Sequence, residues 1–349
     1  MGIIYGIVIF CLIIIIHELG HYAAARLFGM KVYEFMLGMG PLLWKHRAKN
    51  GTLFTLRAIP FGGAVSLGED EDDTSPDAFR NRPVIQRMVV ILAGIVMNLG
   101  LGLIVCVISS ATSDKLITTT LAGFRDNAVS SLSLAENDKI VNVNGLSIIT
   151  AADLSYALYN SASKMADNDN SAVYDFTVMR NGERLNLPNV TFAATSNGKG
   201  GKTITLDFYV YSEEKSFGAV IADGAKSAVS LSRLVVISLI DIIKGTYGLN
   251  DFSGPVGVVN EISKAAAMGF DEVLTMFALI TLNVGIFNLL PVPGLDGSRF
   301  LFFVLEAVRR KPVKAEIEGF IHFLGFAALM VLMLVITFND IKKLFTGEM

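Results

Sequence analysis

The chain has 349 residues, of which 52% are hydrophobic and 17% charged, with a formal net charge of -3. Soluble domains carry about 25% charged residues, so this composition excludes a disordered chain and argues against an ordinary soluble globule. The two cysteines, Cys11 and Cys106, both lie in apolar runs; this excludes a disulfide framework and a multi-cysteine zinc site, and no basic field is present to attract nucleic acid.

Gly2 to Ile16 is uncharged and continues into His17-Glu18. No Lys or Arg precedes the run and no small-residue cleavage site follows its apolar core, so it reads as a membrane span over residues 1–30 rather than a signal peptide. Residues 31–68 change period. Val32 to Met36, Leu42 to Lys45, Thr52 to Arg57 and Ala64 to Leu67 are short β-like runs, and Asn50-Gly51 marks a hairpin between the second and third. Gly38, Gly40, Gly62 and Gly63 punctuate them. This predicts a small membrane-associated β-sheet directly after the first span. Glu69 to Asp73 reads as a solvated acidic turn.

Met88 to Ile108 is a second uncharged run, a span within residues 84–111. The pattern changes again near Leu116. Lys139 to Val143 reads as a strand ending in the turn Asn144-Gly145, and Ala151 to Tyr159 as a short helix. Val173 to Arg180 and Glu183 to Leu187 flank the hairpin signal Asn181-Gly182. Thr195 to Gly201 reads as a loop, and Lys202 to Tyr211 alternates once more. Residues 116–212 are therefore expected to form an inserted α+β domain. In the C-terminal region, 225–349, Val229 to Ile243 has helical spacing and fits either an interfacial amphipathic helix or a helix packed on the bundle. Leu274 to Leu290 and Phe320 to Phe338 are the third and fourth spans.

Loop charge orients the four spans. Nine Lys or Arg lie between Arg26 and Arg87 and five between Arg299 and Lys314, with none before the first span. The positive-inside rule places both loops in the cytoplasm, and both termini and the inserted domain outside.

The sharpest chemical signal is His17-Glu18-Leu19-Gly20-His21. On a helix, positions i and i+4 share a face, so His17 and His21 can bind one zinc with Glu18 beside it as general base. Gly2 to Ile16 rises about 22 Å at 1.5 Å per residue, which buries the motif in the cytoplasmic half of a hydrocarbon core about 30 Å thick. Ionisable groups at that depth are costly and usually functional. Catalytic zinc takes three protein ligands and an open position. His46 sits in a basic hairpin and His322 has no partner motif, so both read as structural. A carboxylate is expected as third ligand. Asp296, in Asn288 to Gly297 (NLLPVPGLDG) where Pro291 and Pro293 break the third span, is the leading candidate. Spans one and three run the same way, so their ends meet.

HELGH in the first span, AGIVMN (Ala93 to Asn98) in the second, SGPVG (Ser253 to Gly257) and NLLPVPGLDG together resemble the site-2 protease family, in particular its bacterial RseP/RasP type with one PDZ domain. The resemblance covers essentially the whole chain. It implies one Zn2+ per chain held by His17, His21 and Asp296, with Glu18 as catalytic base. It implies that the inserted domain is an extracytoplasmic PDZ-like domain, and that the sheet of Val32 to Leu67, with Gly38 and Gly40, handles substrate. Asn283, Asn288, Pro291 and Pro293 match positions that help hold substrate; the bundle also offers Asn283 and Asn288 interhelical hydrogen bonds. Asn137-Asp138 stands where relatives commonly have Gly-Asp, and Leu132 to Leu134 lacks the usual glycine, departures that argue for weak peptide capture.

The expected fold is thus a polytopic α-helical membrane protein: four transmembrane helices, a membrane-associated β-sheet and an inserted PDZ-like α+β domain. The expected activity is zinc-dependent intramembrane cleavage of single-span proteins in the cell membrane. Such substrates would be an anti-sigma factor already trimmed by an upstream site-1 protease, or remnant signal peptides. The alternative is a catalytically inactive PDZ-bearing membrane adaptor, against which the intact His17, Glu18, His21 and Asp296 argue.

Overall fold

The computed structural model describes residues 2–68, 75–162, 170–196, 202–246 and 253–346. The chain divides into two compact units: residues 1–105 with 235–349, and residues 106–234. The expected acidic turn Glu69 to Asp73 lies outside the described residues.

Among the described residues of the first unit, four helices are long and apolar enough to cross a membrane: α1 (Gly2–Leu27), α2 (Val84–Thr112, whose end enters the second unit), α6 (Phe270–Leu289) and α8 (Ala315–Thr346). Each covers one of the four apolar runs, α6 stopping one residue short of Leu290. Ile9 and Ile13 of α1 are buried against Ile262 and Ala265 of α5 (Pro255–Met268) and against Val273 of α6. At the other end of α1, Ala24, Ala25 and Met30 form a second core with Val90 and Ile91 of α2 and Phe303 of α7 (Asp296–Arg309). Helices α5 and α7 were not expected as such; residues 299–314 read as a charged loop. In α7, Phe303 is buried while Val308 and Arg309 are exposed, and this one-sided burial supports a helix.

Strands β1 (Glu34–Arg47) and β2 (Leu53–Ser66) are each long and bent, so two strands serve as four. Glu34 to Leu37 lies centrally, paired in parallel with Leu53 to Leu56 and antiparallel with Gly63 to Ser66. Leu42 to Arg47 folds back as a hairpin on Leu53 to Arg57. The four expected β-runs are these four segments. Gly38 and Gly40 take φ of +81° and +83°, in the left-handed region that favours glycine, and mark the bend of β1. The sheet is tied to α1 by the rings of Tyr22, Phe35 and Phe54, whose centroids lie 5.5–5.7 Å apart.

The second unit holds β3 (Leu116–Phe124), β4 (Lys139–Val143), β5 (Leu146–Ser147), α3 (Ala151–Ala162), β6 (Ser171–Arg180), β7 (Glu183–Ser196), β8 (Lys202–Ile204), β9 (Phe208–Glu213) and the start of α4 (Phe217–Ile243). The strand order is β8-β7-β6-β4-β3-β9, with β5 on β4. Alternate residues of β6, from Ala172 to Val178, are buried, as a sheet with one packed face requires. Tyr174, Phe176 and Phe192 are enclosed in this core. The Tyr174 hydroxyl donates to the Leu158 carbonyl at 2.7 Å, and burial pushes its pKa up to about 12. Asn144-Gly145 and Asn181-Gly182 both have positive φ at the two turn positions, the type I′ pattern of tight hairpins.

Three local expectations differ from the structure. The run Lys202 to Tyr211 is interrupted, because the Asp207 carboxylate accepts bonds from the Ser130 amide (3.0 Å) and hydroxyl (2.6 Å), drawing the chain out of the ladder between β8 and β9. Thr195 and Ser196, expected in a loop, pair with Thr203 and Lys202. Neither reading of Val229 to Ile243 is complete: α4 starts at Phe217, and on it Arg233 pairs with fully buried Asp153 at 2.6 Å while Ser230 meets Thr150 at 2.9 Å. Ser230 and Arg233 thus tie the part of α4 that lies in the second unit to the α+β domain.

Truncating Phe192 to Ala should cost about 3–5 kcal/mol, as expected for a large aromatic lost from a packed core. The exposed Val173→Thr should change stability by less than about 0.5 kcal/mol. Thermal unfolding of the two variants, followed in the α+β domain, checks this difference.

Candidate active site

Helix α1 places His17, Glu18 and His21 on adjoining positions of one turn, and α7 opens on Asp296. The three potential ligand atoms converge. His17 Nε2 lies 3.0 Å and His21 Nε2 3.2 Å from Asp296 Oδ2, and the two imidazole nitrogens are 3.2 Å apart. Among the described residues this is the one group of three His, Cys, Asp or Glu whose ligand atoms meet in this way. Ligands about 2.0–2.1 Å from a tetrahedral ion stand about 3.3 Å from one another, so the triangle has the right edge for one zinc.

The outward nitrogens settle which lone pairs face inward. His21 Nδ1 lies 2.9 Å from the Val90 carbonyl, which only accepts, so Nδ1 carries the proton and Nε2 presents its lone pair. His17 Nδ1 lies 3.3 Å from the amide of fully buried Asn98. A half-turn of that amide exchanges its O and N. Asn98 Oδ1, which otherwise has no partner, then accepts from His17 Nδ1–H. Asp296 Oδ2 is likewise buried without a hydrogen-bond donor. Three lone-pair atoms at this separation repel unless a cation lies among them.

Close backbone approach makes the triangle possible. Val90, Gly94 and Asn98 recur every four residues on α2 and so share one face. A Cβ at Gly94 would fall 2.5 Å from His21 Nε2 and 2.9 Å from His17 Cε1. One at Gly20 would fall 2.5 Å from the Ala93 carbonyl oxygen, so α1 and α2 touch there backbone to backbone. One at Gly297 would strike the carbonyls of Leu289 and Leu290, which explains the glycine following Asp296. Sequence reasoning named neither Gly94 nor Asn98 as a site residue. Their signal was the four-residue spacing and a polar amide within an uncharged span.

Glu18 is buried, and its Cγ would lie 2.8 Å from a Cβ on Gly63. The last segment of the sheet therefore runs beside this carboxylate. Gly38 and Gly40 are placed at the bend of β1, where their backbone conformation accounts for them. Asn283 and Asn288 are half-buried on α6, and their amides make no hydrogen bond among the described residues. Between them, Gly285 lets α6 lie against Leu99 and Asn98 of α2. Pro291 is exposed, and Pro293 packs against Gly325 of α8.

The family model for peptidase family M50 matches residues 5–332. A protein of Clostridium acetobutylicum that bears a zinc metalloprotease name is 30% identical over 355 residues, 97% of each chain. The zinc metalloprotease RasP of Geobacillus kaustophilus is 28% identical, covering 99% of this chain and 98% of its own. The regulator of sigma-W protease RasP of Bacillus subtilis is also 28% identical, covering 97% and 98%.

Gly94→Ala should strip zinc from the purified chain, because its methyl group would occupy space within 3 Å of both imidazoles. Metal analysis of the variant beside the parent chain checks this, and Gly100→Ala on the same helix, where a Cβ meets nothing within 4 Å, should keep its zinc.

Proposed function

The chain belongs to peptidase family M50 and is a multi-pass membrane zinc metalloprotease; from that premise we propose that it hydrolyses single-span membrane proteins within or near the bilayer, with His17, His21 and Asp296 as zinc ligands and Glu18 as general base. The observation that carries the assignment is the convergence of three lone-pair atoms from α1 and α7 beside a buried Glu18.

Zinc bound there supplies Lewis-acid polarisation of the scissile carbonyl and acidifies water. Val90 and Asn98 hold the two imidazoles in the tautomer that keeps Nε2 free. Glu18 accepts the proton of the attacking water and returns it to the leaving amine. A substrate helix must unwind first, and each backbone group bared in lipid costs several kcal/mol. The Gly63 to Ser66 segment offers the remedy. It pairs on one side with Glu34 to Leu37, and no strand pairs with its other side among the described residues. A substrate strand added to that edge recovers its hydrogen bonds and lies along Glu18. Asn283 and Asn288, whose amides make no hydrogen bond among the described residues, add donors and acceptors for the same strand, with Gly38, Gly40, Pro291 and Pro293 shaping the path.

The name of the Bacillus relative, regulator of sigma-W protease, supports an anti-sigma factor as one substrate class; the resemblance to site-2 proteases adds an upstream site-1 protease that trims it first, and remnant signal peptides as another class. Residues 116–212 act in this reading as an extracytoplasmic PDZ-like domain that filters substrates by bulk. Asn137, at the position where the resemblance puts a glycine, takes φ of +68°, a conformation that favours glycine, and this supports the PDZ likeness.

Glu18→Gln should retain zinc and fold yet lose turnover of a trimmed single-span substrate, since an amide cannot take the proton. Full activity in that variant would refute the base assignment. Orientation is tested separately, in a chain with Cys11 and Cys106 replaced by Ala. A cysteine at exposed Lys49 should be protected from an impermeant thiol reagent in intact cells, and one at exposed Asn181 should react; reversed labelling overturns the topology.

A further inference from the structure

The loop between α6 and α7 carries Asp296 into the site, and its own hydrogen bonding is almost complete. Pro291 and Pro293 have no N–H. The amides of Leu290, Val292 and Leu295 donate to Phe287, Leu290 and Val292 within the segment. Gly294 cannot be satisfied that way. Its N–H donates across to α8, to Nδ1 of His322, at 3.2 Å.

The imidazole has neighbours on several sides. Nδ1 accepts, so the ring proton sits on Nε2, which faces the Glu318 carboxylate one turn earlier at 3.8 Å, an ion-pair distance too long for a hydrogen bond. The Phe302 ring stands edge-on at 5.6 Å. The Ser298 hydroxyl, 3.4 Å from Nδ1, is committed to the Leu295 carbonyl at 2.7 Å. Next along α8, a Cβ at Gly325 would fall 2.3 Å from both Cβ and the carbonyl oxygen of Pro293, so helix and loop are in direct contact.

We infer that His322 is a positioning residue for Asp296: by accepting the Gly294 N–H, it makes the fourth span fix the loop that delivers the third zinc ligand. The inference rests on Asp296 being a ligand. Asp296 lies two residues beyond Gly294, and Gly297 seals the loop from the other end against Leu289 and Leu290. Without His322, the exposed Gly294 N–H passes to water and the loop loses its hydrogen-bonded tie to α8. Asp296, two residues on, is then held less firmly in the 3.0–3.2 Å triangle. Groups hydrogen-bonded directly to metal ligands typically control affinity by about 10–100-fold, and His322, acting one step further out, is expected at the lower end of that range.

The test separates the acceptor from the ring. Asn at position 322 places Oδ1 where Nδ1 stood, whereas Leu and Phe fill the space with carbon. His322 also lines a cavity of about 680 Å³, so each replacement has room. The full-length chain in detergent is titrated with a chelator, bound zinc is measured, and unfolding of the metal-stripped form is recorded. His322→Leu and His322→Phe should bind zinc at least about tenfold more weakly, with His322→Asn close to the parent and all three metal-free forms equally stable. If Leu is not recovered folded, Phe provides the same reading. Parent-like affinity in the carbon variants overturns the inference, and so does an equal loss in Asn and Leu. Asp296→Ala is run alongside. If it keeps parent affinity, the ligand assignment fails and takes the inference with it; if it loses zinc while Leu and Phe do not, only the inference fails.

Discussion

Three lone-pair atoms, forced to within 3.0–3.2 Å of one another inside an apolar bundle, set the terms for the rest of the first unit. Two of them are cheap to bring together, because one helical turn does it. The third, from Asp296, must arrive from the far end of the chain. Several close approaches serve its delivery: α1 touching α2 at Gly20, imidazoles lodged over Gly94, and a loop stiffened by two prolines and closed by Gly297. Buried lone pairs also need every outward N–H accounted for. Val90 and Asn98 do that, and they share the helix face that carries Gly94.

Much of this was legible in the sequence, for identifiable reasons. The spans show as runs without charge. The HELGH spacing needs only helical geometry to become half a metal site. Hairpins at Asn144-Gly145 and Asn181-Gly182 are written in residues that tolerate positive φ. What could not be read depends on partners distant in sequence. Asp207 breaks a strand only because Ser130 lies beneath it. Arg233 reads as an interruption of an apolar helix until Asp153 is seen opposite. His322 reads as a lone histidine until the unsatisfied amide of Gly294 is found next to it. Period and composition report what a residue prefers locally, and none of these three contacts is local.

The small sheet shows the same division. Its four β-like runs were visible, but not that they would be two continuous strands, each reused after a bend. Bending spares the sheet two connections and brings Gly63, rather than a loop, beside Glu18. The opposite edge, Leu42 to Arg47, carries Leu42, Leu43 and Trp44 well exposed, an apolar surface suited to lipid rather than to water.

An open strand edge recognises peptide groups, and peptide groups are the same in every protein. A segment laid along Gly63 to Ser66 would be selected for its readiness to unwind, with side chains reporting only at every second position. Proline would be the exception, since it cannot donate to a ladder. A protease that took its substrate on such an edge would read conformation more than sequence, because the backbone it gripped would be anonymous.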